Sequence, residues 1–164
     1  MPHIYNQRMT AEIEGDFVVF MIGARINKWW MFHKWIPFIM AMPKMLTELS
    51  KNPDCGCLGF EGYGMFRGVI IQYWRSFEHL EKYARNPDRE HFPAWVNFNK
   101  NINTSNAVGI WHETYLVKAD HYECIYNHMP PRGLGRVTKL VLATGKTETA
   151  AQRMKVGSST NIEK

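Results

Sequence analysis

Asp16-Phe17-Val18-Val19-Phe20-Met21-Ile22-Gly23-Ala24-Arg25-Ile26 is the stretch that decides how this chain folds. β-Branched and aromatic residues follow one another there without helical spacing, which predicts a buried strand. Alternation puts Val18, Phe20 and Ile22 on one face and Phe17, Val19 and Met21 on the other. Both faces are apolar, so each needs a cover. Helices can supply one, and the simplest cover for the second is another copy of the same sheet.

Working outward, Asn27 can cap a long helix over Trp29 to Leu49, with Pro37 and Pro43 forcing a kink or a break. Asn52-Pro53-Asp54 ends it. Leu58 to Ser76 predicts a hairpin with its turn near Glu61 to Phe66 and a strong second strand, Val69-Ile70-Ile71-Gln72-Tyr73-Trp74. Ser76 caps a short helix over Phe77 to Arg85, and after Asn86-Pro87-Asp88 a second helix runs from about Arg89 to Asn101. Val108 to Val117 and His121 to Asn127 read as strands.

The polar residues 1–12 read as an N-terminal arm, 13–142 as the folded domain, and the Thr/Lys/Ser/Gly-rich residues 143–164 as a basic, disordered tail. The order β-α-β-β-α(α)-β-β is the split βαβ, ferredoxin-like arrangement of the α+β class: an antiparallel sheet with helices on one face. Two such sheets closing on each other would make a dimeric α/β barrel, so a homodimer is expected.

Composition removes several classes of function. Of 164 residues, 45% are apolar and 13% aromatic, which excludes a disordered chain. The net charge of +5 comes entirely from residues 130–164, which hold no Phe, Trp or Tyr, while residues 1–129 are neutral. A neutral aromatic body with a basic tail is not a nucleic-acid-binding domain. Cys55-Gly56-Cys57 is too tightly spaced for a zinc knuckle, and Cys124 stands apart, so no metal site is expected. The first residues lack the apolar core of a secretory signal. The longest apolar stretch, Trp35 to Met42, is far short of the roughly 20 residues of a membrane span. These features predict a soluble, cytoplasmic protein with reduced thiols.

Several longer blocks occur together: Ala11 to Phe20, Phe32-His33-Lys34-Trp35-Ile36-Pro37, Gln72 to Arg85, His91 with Ala94-Trp95, Gly109 to Tyr115, and Pro131-Arg132-Gly133-Leu134-Gly135-Arg136. Over about residues 10–136 the chain resembles a monooxygenase-like family of bacterial and fungal proteins, named after a protein of a fungal fumagillin cluster. The resemblance implies the dimeric α/β-barrel superfamily, which includes antibiotic-biosynthesis monooxygenases, haem proteins, dehydratases, cyclases and isomerases. It further implies an enzyme of secondary metabolism that oxygenates a bulky hydrophobic substrate without a cofactor. A non-redox cyclase or isomerase using the same pocket, a haem enzyme and a non-catalytic ligand-binding dimer are the alternatives.

The candidate site residues come from spacing. His91, Trp95 and Asn99 share a helical face, as do His79 and Tyr83 on the preceding helix. In Val108 to Val117, His112 lies on one face and Trp111, Glu113 and Tyr115 on the other. Tyr73 and Arg75 share a face of the central strand, where Arg75 suits an anion or a salt bridge to Glu78 or Glu113. His33 sits among Trp29, Trp30, Phe32, Trp35 and Phe38. Each has a plain structural alternative, such as a core histidine bonded to backbone or a packed aromatic. With six Trp and ten Met, the chain can build an adaptable apolar pocket. Imidazole, whose ordinary pKa lies nearest neutrality, makes His91 and His112 the expected proton-handling groups, with Glu113 third. Trp95 and Trp111 are the expected walls of a pocket between sheet and helices. A haem would require an axial histidine from His33, His91 or His112.

Overall fold

The computed structural model describes residues 3–64, 68–102 and 105–154. In chain order the elements are β1 (Met9–Glu12), β2 (Phe17–Ile26), α1 (Phe32–Lys51), β3 (Cys57–Tyr63), β4 (Val69–Trp74), α2 (Phe77–Arg85), α3 (His91–Asn97), β5 (Val108–Val117), α4 (Leu134–Val137), β6 (Lys139–Leu142) and α5 (Ala150–Arg153). A four-stranded sheet has the order β3-β4-β2-β5. Taken with α1 after β2 and α2 after β4, this is the ferredoxin-like order, so the fold is α+β as expected. Strand β4 runs antiparallel to both neighbours, with Val18 opposite Trp74 on one side and Cys57 opposite Trp74 on the other.

The helices cover one face of this sheet. Val18, Leu49, Trp74, Leu80 and Tyr83 form the buried cluster, with Phe20, Leu46, Cys55, Cys57 and Phe60 packed around it. Cys57 and Phe60 are three apart, which regular alternation would send to opposite faces. A bulge between Cys57 and Gly59 absorbs one residue, so both reach the same core. Burial pushes the Cys57 thiol up to about 11 from its ordinary 9.0. The thiol is therefore expected to resist alkylation near pH 8, as a cysteine-mapped mass measurement would show. An unfolded chain loses this proton near pH 9 while the folded one holds it. The stabilisation is intact below pH 9 and lost as pH rises toward 11.

Helix α1 is neither broken nor divided at Pro37 and Pro43. Both prolines lie on its exposed side, where water can satisfy the carbonyls they leave without a donor. The helix expected from Arg89 instead starts at His91, after an Asn86 side-chain turn to the Asp88 amide at 2.9 Å. It then passes into a single π-turn, Phe98–Ile102. The expected hairpin turn falls partly on residues 65–67, outside the described residues.

The chain divides at Phe17/Val18 and Tyr115/Leu116 rather than at the expected 12/13 and 142/143 boundaries. Val18–Tyr115 holds most of the four-stranded sheet and helices α1 to α3. The second unit joins the two ends of the chain. There β1 pairs antiparallel with β6, Met9 opposite Leu142 and Glu12 opposite Lys139, so the polar arm contains a strand. The strand expected over His121 to Asn127 is replaced by an extended segment with one bridge, Met9 to Tyr126. Side chains do the pairing instead. Thr10 Oγ1 donates to the Cys124 carbonyl at 2.8 Å, and the Ile13 amide donates to the Tyr122 hydroxyl at 3.0 Å.

Residues 143–154 are not the expected tail. Ala143 is buried and its amide donates to the Arg8 carbonyl. Thr149 and Gln152 form a reciprocal cap on α5, and Arg153 pairs with Glu123 while donating to the Thr147 and Glu148 carbonyls. Composition missed this because short polar elements are held by caps and ion pairs rather than by apolar burial. Residues 155–164 lie outside the described residues. Truncation after Leu142 should lower the melting temperature by several degrees and speed amide exchange at Thr10 and Ala11, readable by hydrogen-exchange mass spectrometry.

Candidate active site

A cavity of about 430 Å³ lies between α1 and the helix-facing side of the sheet. Phe38, Ile39, Met42 and Leu46 of α1 form one wall, and Ile22, Ile70 and Val108 of three strands form the other. Its size suits a drug-sized apolar ligand. Ile39 is both a lining residue and 42% exposed, which puts the opening beside it. Tyr63 also borders the cavity, at the end of β3. Its hydroxyl donates to Glu61 Oε2 at 3.0 Å, and Glu61 is itself buried at 4% exposure. Glu61 and Tyr63 stand opposite Ile71 and Val69, which stand opposite Met21 and Gly23, so this pair takes the sheet face away from the helices.

None of the site residues predicted from sequence lines this cavity. The covered face explains most of the difference. Phe20 packs toward the helices, and the His112 ring lies 5.6 Å from the Phe20 ring, so His112 shares the cavity's side of the sheet. Val108, which does line the cavity, is on the same face of β5 about 13 Å along the strand. Among the described residues of the four strands, His112 and Cys57 are the titratable groups on that face.

Trp111, Glu113 and Tyr115 take the opposite face. The Trp111 ring covers Gly23 so closely that a β-carbon there would come within 2.5 Å of it. The Tyr115 hydroxyl donates to Glu113 Oε2 at 2.5 Å, which holds the Tyr115 pKa above its ordinary value. The structure therefore does not bring Trp111 and Glu113 together with His112, nor Trp111 with Trp95 as facing walls. Tyr73 is buried on the Trp111 side, opposite Val19. Arg75 pairs with neither Glu78 nor Glu113 among the described ion pairs.

The helical candidates have local duties. His91 Nδ1 lies 2.9 Å from the Ala84 carbonyl, which can only accept, so Nδ1 carries the proton and ties α3 to α2. Its ring leans on Tyr83, 6.1 Å between centroids. Tyr83 is a core residue whose hydroxyl donates to Glu48 at 2.9 Å; burial first and Glu48 second push its pKa well up. His79 Nδ1 contacts the Ser76 hydroxyl at the start of α2, at 2.9 Å. Asn99 donates to the Trp95 carbonyl, and Trp95 is 55% exposed. His33 is exposed on α1 against Phe32. Since His33, His91 and His112 all lie outside the cavity lining, none is placed to ligate a haem seated there. Among the described residues no group of three His, Cys, Asp or Glu side chains could hold a metal ion. No described helix is long and apolar enough to cross a membrane.

Residues 17–134, from the first strand of the sheet to the start of α4, match the monooxygenase af470-like family. The chain belongs to that family. No curated protein matches it. Among solved structures it is similar to SnoaB, a cofactor-independent oxygenase from Streptomyces nogalater, at 12% identity and a TM-score of 0.43, covering 61% of this chain and 91% of that one. It is also similar to a dimeric protein of unknown function and ferredoxin-like fold from Bacteroides fragilis, at 9% identity and a TM-score of 0.44, covering 61% and 95%. For this member of the family, sequence reasoning missed the Glu61–Tyr63 pair by treating it as turn. A signal was present: Glu-x-Tyr recurs at Glu113 and Tyr115, and a spacing of two puts both side chains on one face of a strand.

Proposed function

We propose that the protein is a monooxygenase-like enzyme that takes a bulky hydrophobic substrate into the cavity under α1 and works without a bound cofactor. The observation that carries this is the cavity itself, apolar on both walls and sized for a bulky ligand. Membership of a monooxygenase-like family supports the reaction class. An electron-rich phenol or enol in the cavity would give up its proton, and the resulting anion, kept from water, would reduce O2 directly. His112, on the same side of the sheet as the cavity, is the proton-handling group. The working form is a homodimer closed through the other sheet face, where Trp111 and Tyr115 remain 41% and 50% exposed.

One observation favours a second reading, a non-redox cyclase or isomerase. No His, Asp or Glu lines the cavity directly, and a shaped apolar wall can catalyse a cyclisation by holding one conformer. Oxygen decides between them. With a polycyclic phenol or enol as substrate, an oxygen electrode should record uptake in step with product. Undiminished turnover under argon would transfer the assignment to the cyclase.

A further inference from the structure

Helix α1 presents the wrong chemistry to water. On a helix packed against a sheet the outward stripe is ordinarily polar. Here Phe32, Ile36 and Met40, four apart and so on one face, are 60%, 45% and 57% exposed. Trp29 and Trp30, in the turn that leads into the helix, are 52% and 72% exposed. A run of large exposed side chains on one element marks a docking surface.

Charge identifies the occupant. From Trp29 to Thr47 the turn and helix carry two cations, Lys34 and Lys44, and no acid. The segment packed on α1 through Phe38 and Phe98, 5.5 Å between rings, continues the pattern. From His91 to His112 the chain carries Lys100 and no acid, and Trp95 is exposed there as well. Tryptophan, phenylalanine and lysine without carboxylates are the side chains that settle at the boundary of an anionic bilayer. A basic, aromatic face without carboxylates is complementary to a negatively charged surface.

We propose that the outward face of α1 and the Trp29-Trp30 turn dock on the surface of an anionic lipid bilayer. The cavity opens beside Ile39 of the same helix, so a docked molecule would present its opening to the membrane. If the catalytic reading above is right, a lipid-dissolved substrate could then enter without crossing water. The docking itself does not depend on that reading.

The test is co-sedimentation of the full chain with vesicles, which needs no turnover. Vesicles of phosphatidylcholine containing about one-third phosphatidylglycerol should bind the protein, and rising salt should release it. Trp30→Ser with Met40→Ser, both at exposed positions, should weaken that binding about tenfold with an unchanged circular dichroism spectrum. Absence of binding, equal binding by the double variant, or equal binding to pure phosphatidylcholine would overturn the proposal. So would light scattering in which the double variant loses a subunit, because the face would then join two copies of this chain.

Discussion

His112→Gln is expected to lower turnover about 10²-fold while leaving the circular dichroism spectrum unchanged. The imidazole lies on the cavity's side of the sheet, 5.6 Å from the Phe20 ring, and glutamine keeps a polar side chain there while the basic nitrogen is lost. Glu61→Gln is the comparison. Glu61 and its partner Tyr63 take the other face of β3, so this variant should turn over near the wild-type rate. If Glu61→Gln loses 10²-fold and His112→Gln does not, the base is on the far face and the cavity under α1 is not where the chemistry occurs. Single-turnover kinetics with the substrate bound would distinguish the two, since either loss should fall on the chemical step rather than on binding.

The largest expected effect on stability is at Trp74. It is the one fully buried large side chain among the described residues, with no exposed surface, and its indole donates to Gln72 Oε1 at 3.0 Å. It also meets Tyr83, 5.6 Å between rings, so it joins β4 to α2. Trp74→Ala removes the contact and leaves both a cavity and a buried Gln72 without that donor. The cost should be about 3–5 kcal/mol. For a chain of this length that corresponds to a fall of roughly 10 °C in melting temperature, measurable by scanning calorimetry. Trp74→Phe should recover much of the packing and none of the hydrogen bond.

Much of the sheet could be read directly from the chain. β2, β5 and α2 fall within a residue of their expected limits because alternation, a serine cap and Asn-Pro-Asp punctuation act locally. Which face of β2 would meet the helices was not legible, because Val18, Phe20, Ile22 and Phe17, Val19, Met21 are equally apolar. That choice is made across the register, where Trp74 stands opposite Val18, and no local signal carries it. The site shifted with it: His112 went to the helix side, Trp111 and Glu113 to the other. The cavity wall on α1 was visible only as the apolar run from Trp35 to Met42. The two ends of the chain were the least legible, since β1 and β6 are short and find each other across nearly the whole chain.

That last pairing has a consequence for synthesis. Val18–Tyr115 is one continuous segment, so it can assemble while the ribosome is still adding residues. Met9 is made early, yet its partner Leu142 emerges about 130 residues later. At ordinary elongation rates that is on the order of ten seconds. Through that interval β1 is an open edge with no strand beside it, the period in which a chaperone or a second nascent chain has its best opportunity to take the place of β6.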